Sequence, residues 1–208
     1  MKNIVVLVSG GGTNLQALID AQNNGEIKNG KITCVISSNP NAYALQRAKN
    51  NDIDTAVIRR KDYAEFDDYD NALTNLIKSK NADLVVLAGF MTILGKVVIN
   101  AFENRIINIH PSLIPSFCGE GYYGLYVHEA ALKKGVKVTG ATAHFVNEVC
   151  DGGPIIIQKP VEIQNGDTPE TLQKRVMEQA EWKILPKAVS LFCDDKIKVI
   201  GTKTEILD

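Results

Sequence analysis

The chain has 208 residues, 45% apolar and 23% charged, a balance that suits one globular domain over 1–208 with a substantial core. Its net charge of −1 argues against the basic face that duplex nucleic acid requires. No apolar run approaches the roughly 20 residues of a spanning helix, so no membrane segment is expected.

The first predicted element is a buried strand, "NIVVLVS" (3–9). Its apolar run is too short for a secretory signal, and glycines follow in place of a cleavage site. "TNLQALIDAQNN" is helical, with Leu15, Leu18 and Ile19 on one face. A second strand (31–38), a helix from Ala42 and a short strand (54–58) follow. The stretch from Tyr63 to Lys80 carries Phe66, Tyr69, Leu73 and Ile77 at helical steps. "ADLVVLAGF" (82–90) is the next strand, "ILGKVVINAF" a short helix, and "RIINIH" (105–110) a further strand. Alternating strands and helices, with strands apolar on both faces, predict an α/β fold: a Rossmann-like, mostly parallel twisted sheet with helices on both faces.

After Pro111 the rhythm changes. Residues 116–127, "SFCGEGYYGLYV", form a loop rich in glycine and tyrosine, and "HEAALKKG" (128–135) a helix that stops at Gly135. "TGATAHFV" and "GPIIIQKPVEI" are strands joined by a turn at Asp151-Gly152-Gly153-Pro154. Thr168 caps a helix with Pro169 at its first position, striped by Leu172, Val176 and Ala180 and bent or ended at Pro186. The tail "KIKVIGTKTEILD" is placed as an added edge strand. Cys34, Cys118, Cys150 and Cys193 are scattered without a CxxC pair, so reduced thiols, no metal and a cytoplasmic setting are expected.

"VSGGGTNLQAL" joins the first strand to the first helix, where open α/β sheets collect ligands. The dinucleotide fingerprint fails, because its third glycine falls on Leu15, and the Gly-Lys-Ser/Thr of a P-loop is absent. Two readings stay open. One is a tight packing turn; the other is a phosphate held by Gly12, Thr13 and Asn14 at the helix start.

"RIINIHPSLIPSF" (105–117) poses the chemical question. Alternation turns Asn108 and His110 to one face, about 6–7 Å apart, and Pro111 favours an end to strand pairing there. An amide and an imidazole emerging together are costly to bury without partners. Two donors aimed at one oxygen suit acyl transfer through a tetrahedral oxyanion. No serine or cysteine stands as a convincing nucleophile and G-x-S-x-G is absent, so the substrate's own amine is expected to attack. A carboxylate is still required to orient the imidazole. Asp151 is the candidate, although local sequence alone reads it as an Asp-Gly turn.

"LVSGGGTNLQAL", "LAGFMTIL", "NIHPSLIP" and "DGGPIIIQ" resemble, in order and spacing, the folate-dependent formyltransferases, and among them the glycinamide ribonucleotide formyltransferases of purine synthesis. The likeness covers nearly the whole chain. It implies 10-formyltetrahydrofolate as cosubstrate and 5'-phosphoribosylglycinamide as acceptor, with no metal. By position, Gly12, Thr13 and Asn14 hold the substrate phosphate. Met91, Thr92, Ile93 and Leu94, with Asn108, line the folate site, largely through backbone. Asn108, His110 and Asp151 form the catalytic trio, and Glu181 meets the substrate amine. Two departures stand out: Trp182 where the family commonly has His, and Thr92 where Arg often follows the Met. A related hydrolase usually carries an added N-terminal domain and a transfer-RNA-directed relative an added C-terminal one; the 208 residues hold neither. The expectation is therefore the ribonucleotide formyltransferase, as monomer or homodimer. The hydrolase and a non-catalytic folate- or nucleotide-binding module are the alternatives.

Overall fold

The computed structural model describes residues 1–207. In it β1 (Lys2–Val8) is a central strand, with Ile4 to Val8 wholly buried. It runs parallel to β2 (Gly30–Ser37) and β4 (Leu84–Leu87) on either side. β3 (Asp54–Val57) extends the sheet beyond β2, and β5 (Ile106–His110) lies parallel to β4. β6 (Val138–Phe145) and β7 (Ile155–Glu162) then add antiparallel strands, giving the order β3-β2-β1-β4-β5-β6-β7. The sheet is mostly parallel, as its doubly apolar strands require.

Alternation divides the core in two. Ile4, Val6 and Val8 face α1 (Thr13–Asn23), α2 (Tyr43–Lys49), α6 (Pro169–Val176) and α7 (Trp182–Cys193). Val5 and Leu7 face α3 (Phe66–Ser79) and α4 (Lys96–Ala101). Each such side chain contributes roughly 1.5–3 kcal/mol by leaving water, so both helix layers are firmly held. Tyr69, Leu73 and Ile77 are wholly buried on α3, the stripe its sequence spacing required.

Three local expectations are corrected. The helix expected from residue 128 is α5 (Leu125–Lys134), because Gly124, at φ 53° and ψ −130°, turns the loop into the helix one turn earlier. Pro186 does not end its helix; α7 runs through it to Cys193. The irregularity lies upstream, in a widened π turn at Met177–Glu181. Trp182 then has ψ −3°, which tilts its carbonyl away from the Pro186 ring. Finally, the tail adds no edge strand to the main sheet. β8 (Ile197–Ile200) and β9 (Lys203–Ile206) pair with each other across Gly201-Thr202 as a separate antiparallel two-stranded sheet.

Candidate active site

The carboxyl ends of β1, β4 and β5 carry the sequence-predicted residues side by side. At β1, Gly12 adopts φ 73° and caps α1 without a side-chain hydrogen bond. A Cβ there would lie 2.6 Å from that of Ala44, so both the left-handed backbone and α2 require glycine. The N–H groups of Thr13, Asn14 and Leu15 have no backbone partner, the usual state of a first helical turn and a favourable place for an anion. Arg47 braces this loop from α2, donating from Nε to the Gly11 carbonyl (2.9 Å) and from Nη1 to Gln16 Oε1 (3.0 Å).

Asn14 and Glu181 meet directly, the Asn14 Nδ2 donating to Glu181 Oε2 at 2.7 Å. The π turn brings Glu181 inward to this buried position. Burial pushes its carboxyl up to about 7, opposed only by the Asn14 hydrogen bond. Trp182, the next residue, is half-buried. Together with Thr13, Gln16, Arg47 and Lys183 it lines an open groove of about 440 Å³ along α1.

Beyond β4 the segment from Gly89 to Leu94 makes no backbone–backbone hydrogen bond. Met91 and Ile93 are exposed and Thr92 half-buried, whereas the Leu94 side chain packs into the core on the α3 side. Of the four expected lining residues, Leu94 can therefore reach a ligand through its main chain alone.

Asn108 and His110 continue the row of Ile106 on the face toward α4. Because β6 runs antiparallel to β5, its end lies beside Ile107. The β6–β7 connection must fold back over this face to deliver Asp151. Gly153 permits that path, since a Cβ there would fall 1.9 Å from the Phe145 carbonyl oxygen. Asp151 Oδ2 lies 3.5 Å from His110 Nδ1, and Oδ1 lies 3.7 Å from His144 Nε2. These are close approaches, slightly longer than hydrogen bonds. Asp151 Oδ2 also accepts the Gly119 N–H at 2.9 Å.

The partners decide the tautomers. His110 Nε2 faces the Phe117 carbonyl at 2.9 Å, and a carbonyl only accepts, so Nε2 carries a proton. Nδ1 then turns either a lone pair or a second proton toward the Asp151 carboxylate. Burial lowers the His110 pKa, against the opposing pull of Asp151 and the Phe117 carbonyl. Burial alone would raise the Asp151 carboxyl, but His144, His110 and the Gly119 N–H outweigh it and hold it below its ordinary value. A carboxylate kept ionised beside a histidine kept neutral forms a proton-handling pair. Phe117 and Asp151, which both approach His110, have positive φ angles of 50° and 54°, a conformation uncommon for residues other than glycine.

His144 was not among the residues singled out by sequence. It lies opposite Asn108 on β6, donates from Nδ1 to the Phe145 carbonyl (2.8 Å), and sets Nε2 3.2 Å from the Asn108 amide nitrogen. The only local signal was a polar residue in the otherwise apolar end of a strand. Arg47 gave no signal at all, being one basic residue of a helix.

A sheet of this order, with unpaired main-chain N–H groups at the start of α1 and an amide–imidazole–carboxylate group along its carboxyl edge, has the architecture of an α/β acyl-transfer enzyme. The sequence profile of the formyl transferase family matches residues 2–189. Phosphoribosylglycinamide formyltransferase of Haemophilus influenzae is 42% identical over 199 residues, covering 96% of this chain and 91% of that protein. The crystal structure of glycinamide ribonucleotide transformylase 1 from Symbiobacterium toebii superposes with a TM-score of 0.94 at 41% identity, covering 100% of this chain and 95% of that one. A formyltetrahydrofolate deformylase from Pseudomonas syringae gives 0.87 at 29% identity, covering 100% of this chain and 66% of that one. The chain belongs to the formyl transferase family, in its phosphoribosylglycinamide formyltransferase branch.

Proposed function

We propose that the protein moves the formyl group of 10-formyltetrahydrofolate onto the amine of 5'-phosphoribosylglycinamide, yielding the N-formyl product and tetrahydrofolate in purine biosynthesis. The observation that carries this is the chain of Asn108, His144, Asp151 and His110, each within 3.7 Å of the next. In this reading the free N–H groups of Thr13 and Asn14, with Arg47 nearby, receive the ribonucleotide phosphate. Glu181 meets the amine or a neighbouring hydroxyl. The main chain of Met91 to Leu94, unpaired apart from the Met91 N–H that Ser9 accepts, offers donors and acceptors to the edge of the pterin.

The amine nitrogen attacks the formyl carbon, and the carbonyl electron pair moves onto oxygen. The Asn108 amide and the His110 Nε2–H donate to that oxyanion. The His110 position is marked by the Phe117 carbonyl oxygen, an acceptor that the formyl oxygen replaces when the loop after Pro115 moves aside. The intermediate then collapses, the bond from carbon to N10 breaks, and its electron pair stays on N10. His110 and Asp151 carry the proton lost by the amine to N10. His144 fixes the Asn108 amide through Nε2.

The test is loss of 10-formyltetrahydrofolate with and without the ribonucleotide. Turnover only in its presence supports transfer. Turnover in its absence assigns the site to hydrolysis, and none in either case leaves a binding module.

A further inference from the structure

Asp70 is a buried carboxylate that the chemistry above does not use. It lies on α3, is 1% exposed, and has no ion-pair partner among the described residues. Leaving such a charge in the core is expensive unless its oxygens are satisfied. They are satisfied by main chain from one place: Oδ1 accepts the Gly95 N–H at 3.0 Å and Oδ2 the Val97 N–H at 2.8 Å. Gly95 is matched to this contact, because a Cβ there would stand 2.2 Å from Asp70 Oδ2.

These two amides close the far end of the unpaired segment from Gly89 to Leu94. Its near end is held by Ser9, which accepts the Met91 N–H at its Oγ (2.8 Å) and shares a 2.7 Å hydrogen bond with the Ser38 hydroxyl. Ser9 directly precedes the glycine loop, so the same hydroxyl ties the tips of β1 and β2 to the segment after β4. An irregular stretch without ladder or helix bonds samples many conformations unless its ends are fixed. With both ends fixed by side chains, the peptide groups between them stay free for a ligand.

We propose that Asp70 and Ser9 are positioning residues that clamp the Met91–Leu94 segment in the shape that receives the folate cosubstrate. This rests on the folate reading of that segment given above. Neither residue touches the reacting atoms. Their effect is carried by the main chain they hold.

The experiment is steady-state kinetics of the full chain, with each substrate varied in turn, for wild type, Asp70→Asn, Ser9→Ala and Ser9→Thr. Asp70→Asn keeps the shape but turns an amide N–H₂ toward a backbone donor. It is expected to raise KM for 10-formyltetrahydrofolate by roughly tenfold or more, the loss of a hydrogen bond to a charged group, with kcat and the ribonucleotide KM within about twofold. Ser9→Ala should raise the same KM by a few fold, and Ser9→Thr, which keeps the hydroxyl, should restore it. A folded Asp70→Asn with unchanged folate KM overturns the proposal, as does a parallel rise in both KM values. If Asp70→Asn does not fold, the Ser9 pair decides on the same criterion. A wild type that turns over no 10-formyltetrahydrofolate defeats the folate reading instead. Amide exchange then decides the clamp: faster exchange at Gly95 and Val97 in Asp70→Asn supports it, and unchanged rates overturn it.

Discussion

Around the start of α1 the groups offered to a ligand are main-chain N–H groups of consecutive residues, set by Gly12 and the first turn of a helix. Around β5 the groups are side chains drawn from three segments: Asn108 meets His144, 36 positions away, and Asp151 accepts the Gly119 N–H, 32 positions away. The first arrangement survives most side-chain changes, because every residue supplies the same N–H. The second fails when one member is lost, since no neighbour can replace a particular amide or carboxylate. Substitutions at β5 should therefore stop turnover while sparing binding, and those near α1 should do the reverse.

The sharpest break is at the proton-handling pair. Asp151→Asn should lower kcat by about 10²–10⁴-fold, the usual range for acid–base groups, with both KM values little changed. A folded variant with wild-type kcat would falsify the assignment. Asn108→Ala comes next, with a loss of roughly 10²–10³-fold expected for one oxyanion donor, measured as kcat under saturation. His144→Ala removes the brace on Asn108 and one of the groups that keep Asp151 ionised, so a loss of about tenfold is expected, the equivalent of one hydrogen bond. If its loss matched that of Asn108→Ala, His144 would be acting on substrate rather than on the amide.

At the other end, Arg47→Ala should raise the ribonucleotide KM by up to roughly tenfold and leave kcat in place, a screened charge being worth little more. Equal ribonucleotide KM values in low salt would remove Arg47 from the phosphate site. Gly12 is a poor probe there, because any side chain collides with Ala44 before it reaches a ligand.

Glu181 separates stability from function at the same end. Its folded carboxyl is raised to about 7 from an ordinary 4.5, so the native state holds a proton that the unfolded chain releases. That stabilisation is complete below about pH 4.5 and is lost as pH rises through 7. Glu181→Gln should flatten this part of the stability–pH curve. At pH 8 it should gain on the order of 1–3 kcal/mol over wild type in denaturant unfolding, while ribonucleotide binding weakens. A stability difference that did not vary between pH 5 and 8 would show that the carboxyl is not buried as described.

The parallel sheet, the helix faces and the tight glycine turn before α1 were legible in the sequence because each depends on residues close along the chain. Apolar runs such as Ile4–Val8 can only be central strands, and Leu15, Leu18 and Ile19 share a helix face through a 3.6-residue period. The pairing of Asn108 with His110 was legible for the same reason, two residues being one step along one face. Local pattern misled where the deciding contact lay elsewhere. The hairpin closed on itself at Gly201-Thr202, and Pro186 was accommodated by Trp182 one turn before it.

What only the tertiary structure decided is the company those residues keep. The sequence offered Asp151 as the candidate carboxylate although its local pattern is an Asp-Gly turn, and the backward fold of the β6–β7 connection set it beside His110. His144 became the partner of Asn108 through strand register, and Asp70 the holder of Gly95 and Val97 through the packing of α3 against α4. Periodicity reports which face a side chain takes. Which distant group waits on that face is settled by burial energy summed over the whole chain.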